Sequence, residues 1–319
     1  TNNPDETAER FVGLIDDLSY AKTFYPKSKV TRWVNGIAAG IYQSIYKNKK
    51  EKYSRIFQFW KFELPLLFKK YHRIFLFTTL LFILFVAIGV FSSMHNEEFV
   101  RAVLGNGYVD LTEENIAKGD PFGVYKDGNP FSMFVRIGFN NISVAFKAFV
   151  GGFTIGIFTL TIMWGNGIML GAFQYMFFAK GLGVNSVLVI WIHGTLEISA
   201  IVISATAGFI LASGILFPGT YSRQVSFKRN AKDAAKILIS LIPVFIVAAF
   251  FESYVTHLMS QSINKAGNSG LPVWASVAIL GVSLMFIIWY FIFLPIRLHN
   301  KGYYIRPDGI INRVKNENA

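Results

Sequence analysis

The 319-residue sequence has no cysteine, and only 16% of its residues are charged. The first absence removes disulfides, thiolate metal ligands and cysteine nucleophiles. The second falls well short of the rough quarter that soluble domains carry. It weighs against a water-soluble enzyme and against a disordered tail. Several chemistry-bearing patterns are also missing: a Walker phosphate loop, a dinucleotide fingerprint between strand and helix, a G-x-S-x-G nucleophile turn, and EF-hand spacing. No signal peptide precedes the first apolar run, and the chain opens at Thr1 rather than Met, so an N-terminal piece is expected to be missing.

What the chain has instead is apolar sequence in runs: 53% hydrophobic and 16% aromatic residues, with a mean hydropathy of +0.41. The fold class expected is all-α, a polytopic α-helical membrane protein. A helix rises about 1.5 Å per residue and the hydrocarbon layer is about 30 Å thick. On that scale six spans are expected: Ile74–Phe91, about Ala148–Trp164, Ile168–Lys180, Ser186–Ser213, Ile237–Thr256 and Val273–Ile296. The third is short, carries Gln174 and is bracketed by glycines, so it reads as a short span or a re-entrant helix.

Formal net charge is +12, and its placement decides its meaning. Residues 1–73 hold 14 Lys and Arg, loop 214–236 holds five and tail 297–319 holds five, against seven elsewhere. An even span count puts all three basic segments on one side, so N-in and C-in is expected. The expected organisation is a cytoplasmic helical or interfacial region 1–73, a transmembrane domain 74–296 and a cytoplasmic tail 297–319. Apolar residues at helical spacing mark two amphipathic helices, one through Phe11, Leu14, Ile15 and Leu18, the next through Trp33, Val34, Ile37, Ile41 and Ile45; Tyr25-Pro26 separates them. Basic residues interleave with aromatics before the first span: Lys47, Lys49, Lys50, Lys52, Lys61, Lys69, Lys70 and Arg73. Because that patch abuts a span, contact with membrane lipids is expected, and nucleic acid is not. Loop 92–141 is the long extracytoplasmic segment, acidic on balance; Thr112 before Glu113-Glu114 reads as an N-cap there. A solvated cap and a partner surface are both open readings of it.

Few strongly polar groups fall inside the apolar runs. His193 and Glu197 share a face of span four at i, i+4, while Glu252 lies on span five with His257 near its outer end. Counted from the outer surface at about 1.5 Å per residue, His193 and Glu252 reach one depth. Carboxylates there must pair or carry a proton. Three readings stand: a brace between spans, a proton- or ion-coupled pathway, and a metal site. The zincin pattern H-E-x-x-H is absent, H-G-T-L-E standing in its place. No cofactor, resident metal or catalytic residue is expected. Small-residue pairs Gly152/Gly156 and Gly167/Gly171, with Gly208, read as helix-packing positions, and both homodimerisation and packing within one chain fit them.

Together these residues resemble the stage II sporulation protein M family. The resemblance runs from Leu14–Pro26, through Asn141, Phe149, Gly152, Gly156 and Asn166-Gly167, to its sharpest stretch, Ile192–Ala200 with its H-G-x-x-E. It implies a multi-pass protein of the bacterial cytoplasmic membrane. In the spore-forming member it implies anchoring of peptidoglycan-degrading partners, and in others an association with AAA-type ATPase neighbours. A non-enzymatic envelope component or scaffold is the expectation. A transporter, channel or lipid-translocating protein and an intramembrane metal-dependent enzyme are the alternatives.

Overall fold

The computed structural model describes residues 4–46, 54–123, 129–263, 271–306 and 311–314. The chain divides into two compact units, Thr1–Gln58 and Phe59–Ala319. In the first, α1 (Pro4–Phe24) and α2 (Lys29–Tyr46) form a helical hairpin, followed by the short α3 (Ser54–Gln58). Ser28 starts α2 by accepting from the Thr31 backbone N–H at 3.0 Å, and the Thr31 hydroxyl donates to the Tyr25 carbonyl at 2.7 Å. The Tyr25-Pro26 break is therefore a stitched turn. Of the expected basic surface, Lys47, Lys49, Lys50 and Lys52 lie outside the described residues.

The second unit is the membrane bundle. Among the described residues, six helical stretches are long and apolar enough to cross a membrane: His72–His95, Pro130–Thr154, Ile157–Ala179, Gly183–Leu216, Arg223–Met259 and Val273–Asn300. The expected count of six holds, but two expected boundaries do not. The expected span at Ala148–Trp164 straddles a break between α8 (Pro130–Val150) and α9 (Ile157–Ala179). The short run at Ile168–Lys180 is the distal half of α9, a full-length helix and no re-entrant loop. Residues 130–141, expected in the outer loop, open α8, so that loop ends near Asn129.

The misplacement has a physical cause. Gly151–Thr154 form a 3-10 turn, Ile155 takes φ 59° and Gly156 takes φ 87°. This left-handed pair reverses the chain within an unbroken apolar run, where hydropathy alone gives no signal. Thr154 accepts from the Phe158 N–H at 3.0 Å and so caps α9.

At the centre stands α10 (Gly183–Leu216), whose 34 residues reach about 51 Å. It is the most buried of the six, and from Ala200 to Ala212 nearly every side chain is covered. Around it pack α5 (His72–His95), α8, α9, the stretch α11 (Arg223–Ser240) to α12 (Ile242–Phe250) to α13 (Thr256–Ile263), and α14 (Val273–Ile288). Glycine sets the closest approaches. A Cβ on Gly208 would strike the Ala148 carbonyl oxygen, and one on Gly171 the Val86 carbonyl oxygen. Gly167 faces Phe85 and Gly152 faces Gly208. All five expected packing glycines lie in helix contacts, but Gly152 and Gly156 belong to the α8–α9 reversal and not to a GxxxG face within one span.

Among the described residues three π-helical turns interrupt the helices, at Phe59–Glu63, Phe251–Val255 and Trp289–Phe293. Two sit just before Leu64-Pro65 and Leu294-Pro295, at the starts of α4 (Leu64–Lys70) and α15 (Leu294–Asn300). A proline there lacks its N–H and clashes with the carbonyl four residues back, which favours the wider turn. After α15, β1 (Tyr303–Ile305) and β2 (Ile311–Arg313) pair antiparallel, Tyr303 opposite Arg313; this small hairpin in the tail was not expected.

Two shelves flank the bundle. On the side of the α5 C-terminus, α6 (Glu97–Leu104) and α7 (Asn106–Ala117) fold onto the ends of α9 and α10. Val100, Val109 and Phe122 pack with Met176, Phe177 and Val189, and Phe122 stacks on Phe177 at 5.4 Å. Arg101 bridges Asp110 at 2.5 Å and Glu113 at 2.9 Å, and Glu113 also takes Lys180 at 2.7 Å. Thr112 is interior to α7, where its hydroxyl donates to the Tyr108 carbonyl, so it is no N-cap; α7 starts six residues earlier. At the other end α4 meets α11: Lys70 bridges Asp233 at 2.6 Å, Tyr71 donates to Asp233 at 2.9 Å, and Lys236 pairs with Glu63. Lys70 is thus committed to an ion pair instead of a free lipid contact, while Lys61 and Arg73 are exposed and Lys69 is half-buried.

Candidate functional site

The polar cluster forms where α10 passes the π-helical turn of span five. His193 and Glu197 lie one turn apart on α10. Glu252 is the second residue of the π turn, whose extra residue per turn hands the Phe251 carbonyl to the backbone N–H of Thr256. Ligand atoms of His193, Glu197 and Glu252 all lie within 4.8 Å of one another. His193 is buried, and its Nε2 stands 4.0 Å from Glu252 Oε2. Spans four and five thus bring His193 and Glu252 together.

His193 Nδ1 pairs with the Thr256 hydroxyl at 3.0 Å. Thr256 Oγ1 in turn donates to the Phe251 carbonyl at 3.1 Å. One hydroxyl has one hydrogen, so with it on Phe251 the imidazole Nδ1–H is the donor to Thr256. His257 is absent from the group. Glu252 and Thr256 are four apart and share a face, whereas His257 is one residue further round.

Asn141 completes the cluster from α8. It is 4% exposed, and its side-chain amide faces the Glu197 carboxyl. Its Nδ2 nevertheless has no hydrogen bond of good geometry, and neither does Ser253 Oγ in the π turn. Among the described residues these are the two buried side-chain polar atoms left in that state. Neither Asn141 nor Thr256 was singled out as a site residue from sequence. Their signal was weak: an amide in an amphipathic helix and a hydroxyl beside a histidine are common in any span.

Electrostatics makes the grouping consequential. A carboxylate in the hydrocarbon layer costs about 2.5–3.5 kcal/mol on insertion scales. Among the described residues, neither Glu197 nor Glu252 forms an ion pair with Lys or Arg. By contrast Gln174 on α9 is satisfied: it donates to Ser186 at 2.7 Å and accepts from Trp191 at 2.9 Å.

An apolar groove of about 650 Å³ runs along the bundle between α5, α10 and α14–α15, with Lys69 and His72 toward one end and Gln174 and Trp191 toward the other. Its α10 wall is Trp191, Ile198, Ser199, Val202 and Ile203. At 100° per residue this wall faces away from His193 and Glu197. Groove and cluster lie on opposite sides of α10.

Comparison with known proteins agrees with this architecture. The family model for stage II sporulation protein M matches residues 78–257, more than half of the chain and all of the cluster. The chain belongs to that family. A second model, for a domain of unknown function, matches residues 1–47, so the Leu14–Pro26 stretch falls outside the family match. Two proteins of Methanocaldococcus jannaschii are similar. Uncharacterized protein MJ0793 is 30% identical over 120 residues, 37% of this chain and 67% of the relative. Uncharacterized protein MJ0706 is 26% identical over 191 residues, 57% of this chain and 77% of the relative. No solved structure matches.

Proposed function

We propose that this family member is a non-enzymatic structural subunit of a prokaryotic envelope assembly. It sits in the cytoplasmic membrane with both termini inside, and it presents the α6–α7 shelf to an extracytoplasmic partner or a second protomer. The observation that carries this reading is the strap from Arg101 through Glu113 to Lys180, together with Phe122 on Phe177. It makes the shelf a fixed extension of the bundle, as a docking surface requires. The α8–α9 break also supports the orientation, since Lys147 now falls at the end of α8 on the same side as the other basic segments.

The test is the size of the native complex. In its own membrane the chain should migrate in a particle larger than itself. Deletion of α7 should reduce that particle to the chain alone while membrane insertion persists. Migration at the size of the chain alone before any deletion, or an unchanged particle after it, would contradict the reading.

Transport through the polar cluster is the second reading, favoured by two carboxylates and a histidine in one place. The placement of the groove on the opposite side of α10 weighs against a lipid path that uses those residues. A lipid resting in the groove, with Lys69 near its headgroup, fits the scaffold equally well.

A further inference from the structure

We infer that the apolar groove between α5, α10 and α14–α15 is a binding site for one anionic glycerophospholipid, with an acyl chain along the groove and the phosphate at Lys69 and His72. The site lies apart from the polar cluster and needs no partner protein. It holds whichever side of the membrane carries the termini.

The first support is shape. The groove has a buried floor and exposed rims. Phe82 of α5 and Val202 and Ile203 of α10 are covered, whereas Leu76 and Ile83 on one rim and Ile292 on the other are exposed. α5 and α14 both pack on α10, and the space between them is the groove. From His72 to Val90 its α5 wall rises about 27 Å. The hydrocarbon layer is about 30 Å deep, and an acyl chain of one leaflet takes about half of it. The groove therefore has the length for such a chain.

The second support is the state of the polar atoms along it. The Thr79 hydroxyl donates to the Phe75 carbonyl at 2.9 Å, and that of Ser199 to the Thr195 carbonyl at 2.7 Å. At the far end Trp191 donates to Gln174 at 2.9 Å, and Gln174 donates to Ser186. Among the described residues no carboxylate lines the groove. A hydrocarbon chain laid there strands no polar group.

Charge then selects the headgroup and its end. Lys69 and His72 are the ionisable side chains of the lining, and both stand at one end. His72 Nδ1 meets the Lys69 carbonyl at 2.8 Å. A carbonyl only accepts, so Nδ1 carries the hydrogen, and the ring is tied to the helix turn that bears the lysine. Among the described residues Lys69 forms no ion pair, unlike Lys70, which is held by Asp233 at 2.6 Å. Arg73 beside them is exposed and adds to the positive potential. A cation without a counter-ion at the mouth of an apolar groove matches a phosphate ester whose tail the groove accepts.

The full chain, purified in mild detergent and stripped of lipid, can be titrated with phosphatidylglycerol and phosphatidylcholine of the same acyl chains. Native mass spectrometry counts what stays bound. About one phosphatidylglycerol per chain should be retained in preference to phosphatidylcholine. Lys69→Gln should lower that preference about five-fold, as loss of one lysine contact to an anionic surface does. Lys232→Gln, at an exposed lysine of α11 outside the groove, should leave it unchanged. Ser199→Phe fills the groove from the α10 wall and should remove retention of both lipids. Thr79→Phe fills it from the α5 wall, so a variant that misfolds at one wall leaves the other to decide. Equal retention of the two lipids by the wild type would overturn the inference, as would undiminished retention in a phenylalanine variant that melts like it. A lipid-free dimer that Ser199→Phe turns monomeric would put a second copy in the groove and overturn it too. Selective retention by a chain that forms no larger particle would support the inference while contradicting the scaffold reading.

Discussion

The His193 imidazole meets the Thr256 hydroxyl at 3.0 Å across the interface of spans four and five, 63 residues away in sequence. On the same helix face, Glu197 has the side-chain amide of Asn141 from α8 turned toward it. Three helices therefore bring polar side chains together in the part of the protein where unsatisfied polar groups cost most.

Removal of the threonine should show this directly. Thr256→Val keeps the shape of the side chain but leaves His193 Nδ1 without its acceptor. A buried group so stranded costs about 1–3 kcal/mol. Thermal unfolding in detergent should report that loss, whereas Thr161→Val, at an exposed position whose hydroxyl bonds only its own helix, should be close to neutral.

The glycine contacts make a sharper prediction. Gly208→Ala drives a Cβ into the Ala148 carbonyl and against Thr159 Oγ1, with backbone on one side and no flexible end to move. Overpacking of this kind costs about 1–3 kcal/mol or more. Gly194→Ala, on the same helix with no heavy atom within 4 Å of the new Cβ, should be neutral or mildly stabilising. Melting temperatures of the two variants in one detergent measure the contrast.

Much of this was legible in the sequence, for reasons particular to each element. The six spans follow from length and hydropathy, and the shared face of His193 and Glu197 follows from helical spacing. The α8–α9 reversal was not legible. It lies within apolar residues and depends on Ile155 and Gly156 adopting positive φ, which no composition signal marks. Thr256 and Asn141 were hidden for a different reason. Their roles depend on the π turn at Phe251–Val255 and on the packing of α8 against α10, both tertiary outcomes. The arginine strap of the shelf joins residues 101, 113 and 180 across two connections, and charge counting cannot pair them.

The shelf should loosen in acid. The hydrogen bond from Lys180 holds the Glu113 carboxyl below its ordinary range, with the charges of Lys180 and Arg101 adding to it. A depressed carboxylate stabilises the folded form above its unfolded pKa of about 4.5, and that contribution is lost as pH falls through the lower folded value. These are exposed pairs, screened by solvent and individually weak. Limited proteolysis within 96–123 should therefore be slow from pH 5 to 8, about the range in which folded proteins are most stable. It should accelerate below the carboxylate range, and Glu113→Gln should show the faster rate already at neutral pH.

The proposed orientation is accessible to labelling because the chain has no cysteine of its own. Single cysteines at Asp120 and Lys228 should react with a membrane-impermeant maleimide from opposite faces of sealed vesicles. Labelling of both from one face would contradict six spans with both termini inside.

The central claim is that Glu197 and Glu252, on different spans, turn toward each other inside the bundle. It is tested most directly by one cross-linking measurement on Glu197→Cys/Glu252→Cys. A short bifunctional thiol reagent that partitions into membranes should join the two cysteines within one chain. Mass spectrometry of the digest should find the α10 peptide linked to the π-turn peptide. Single-cysteine variants should give no intramolecular link. Recovery of both thiols modified singly and never linked, in a chain that melts like the wild type, would place the two carboxylates apart and contradict the account.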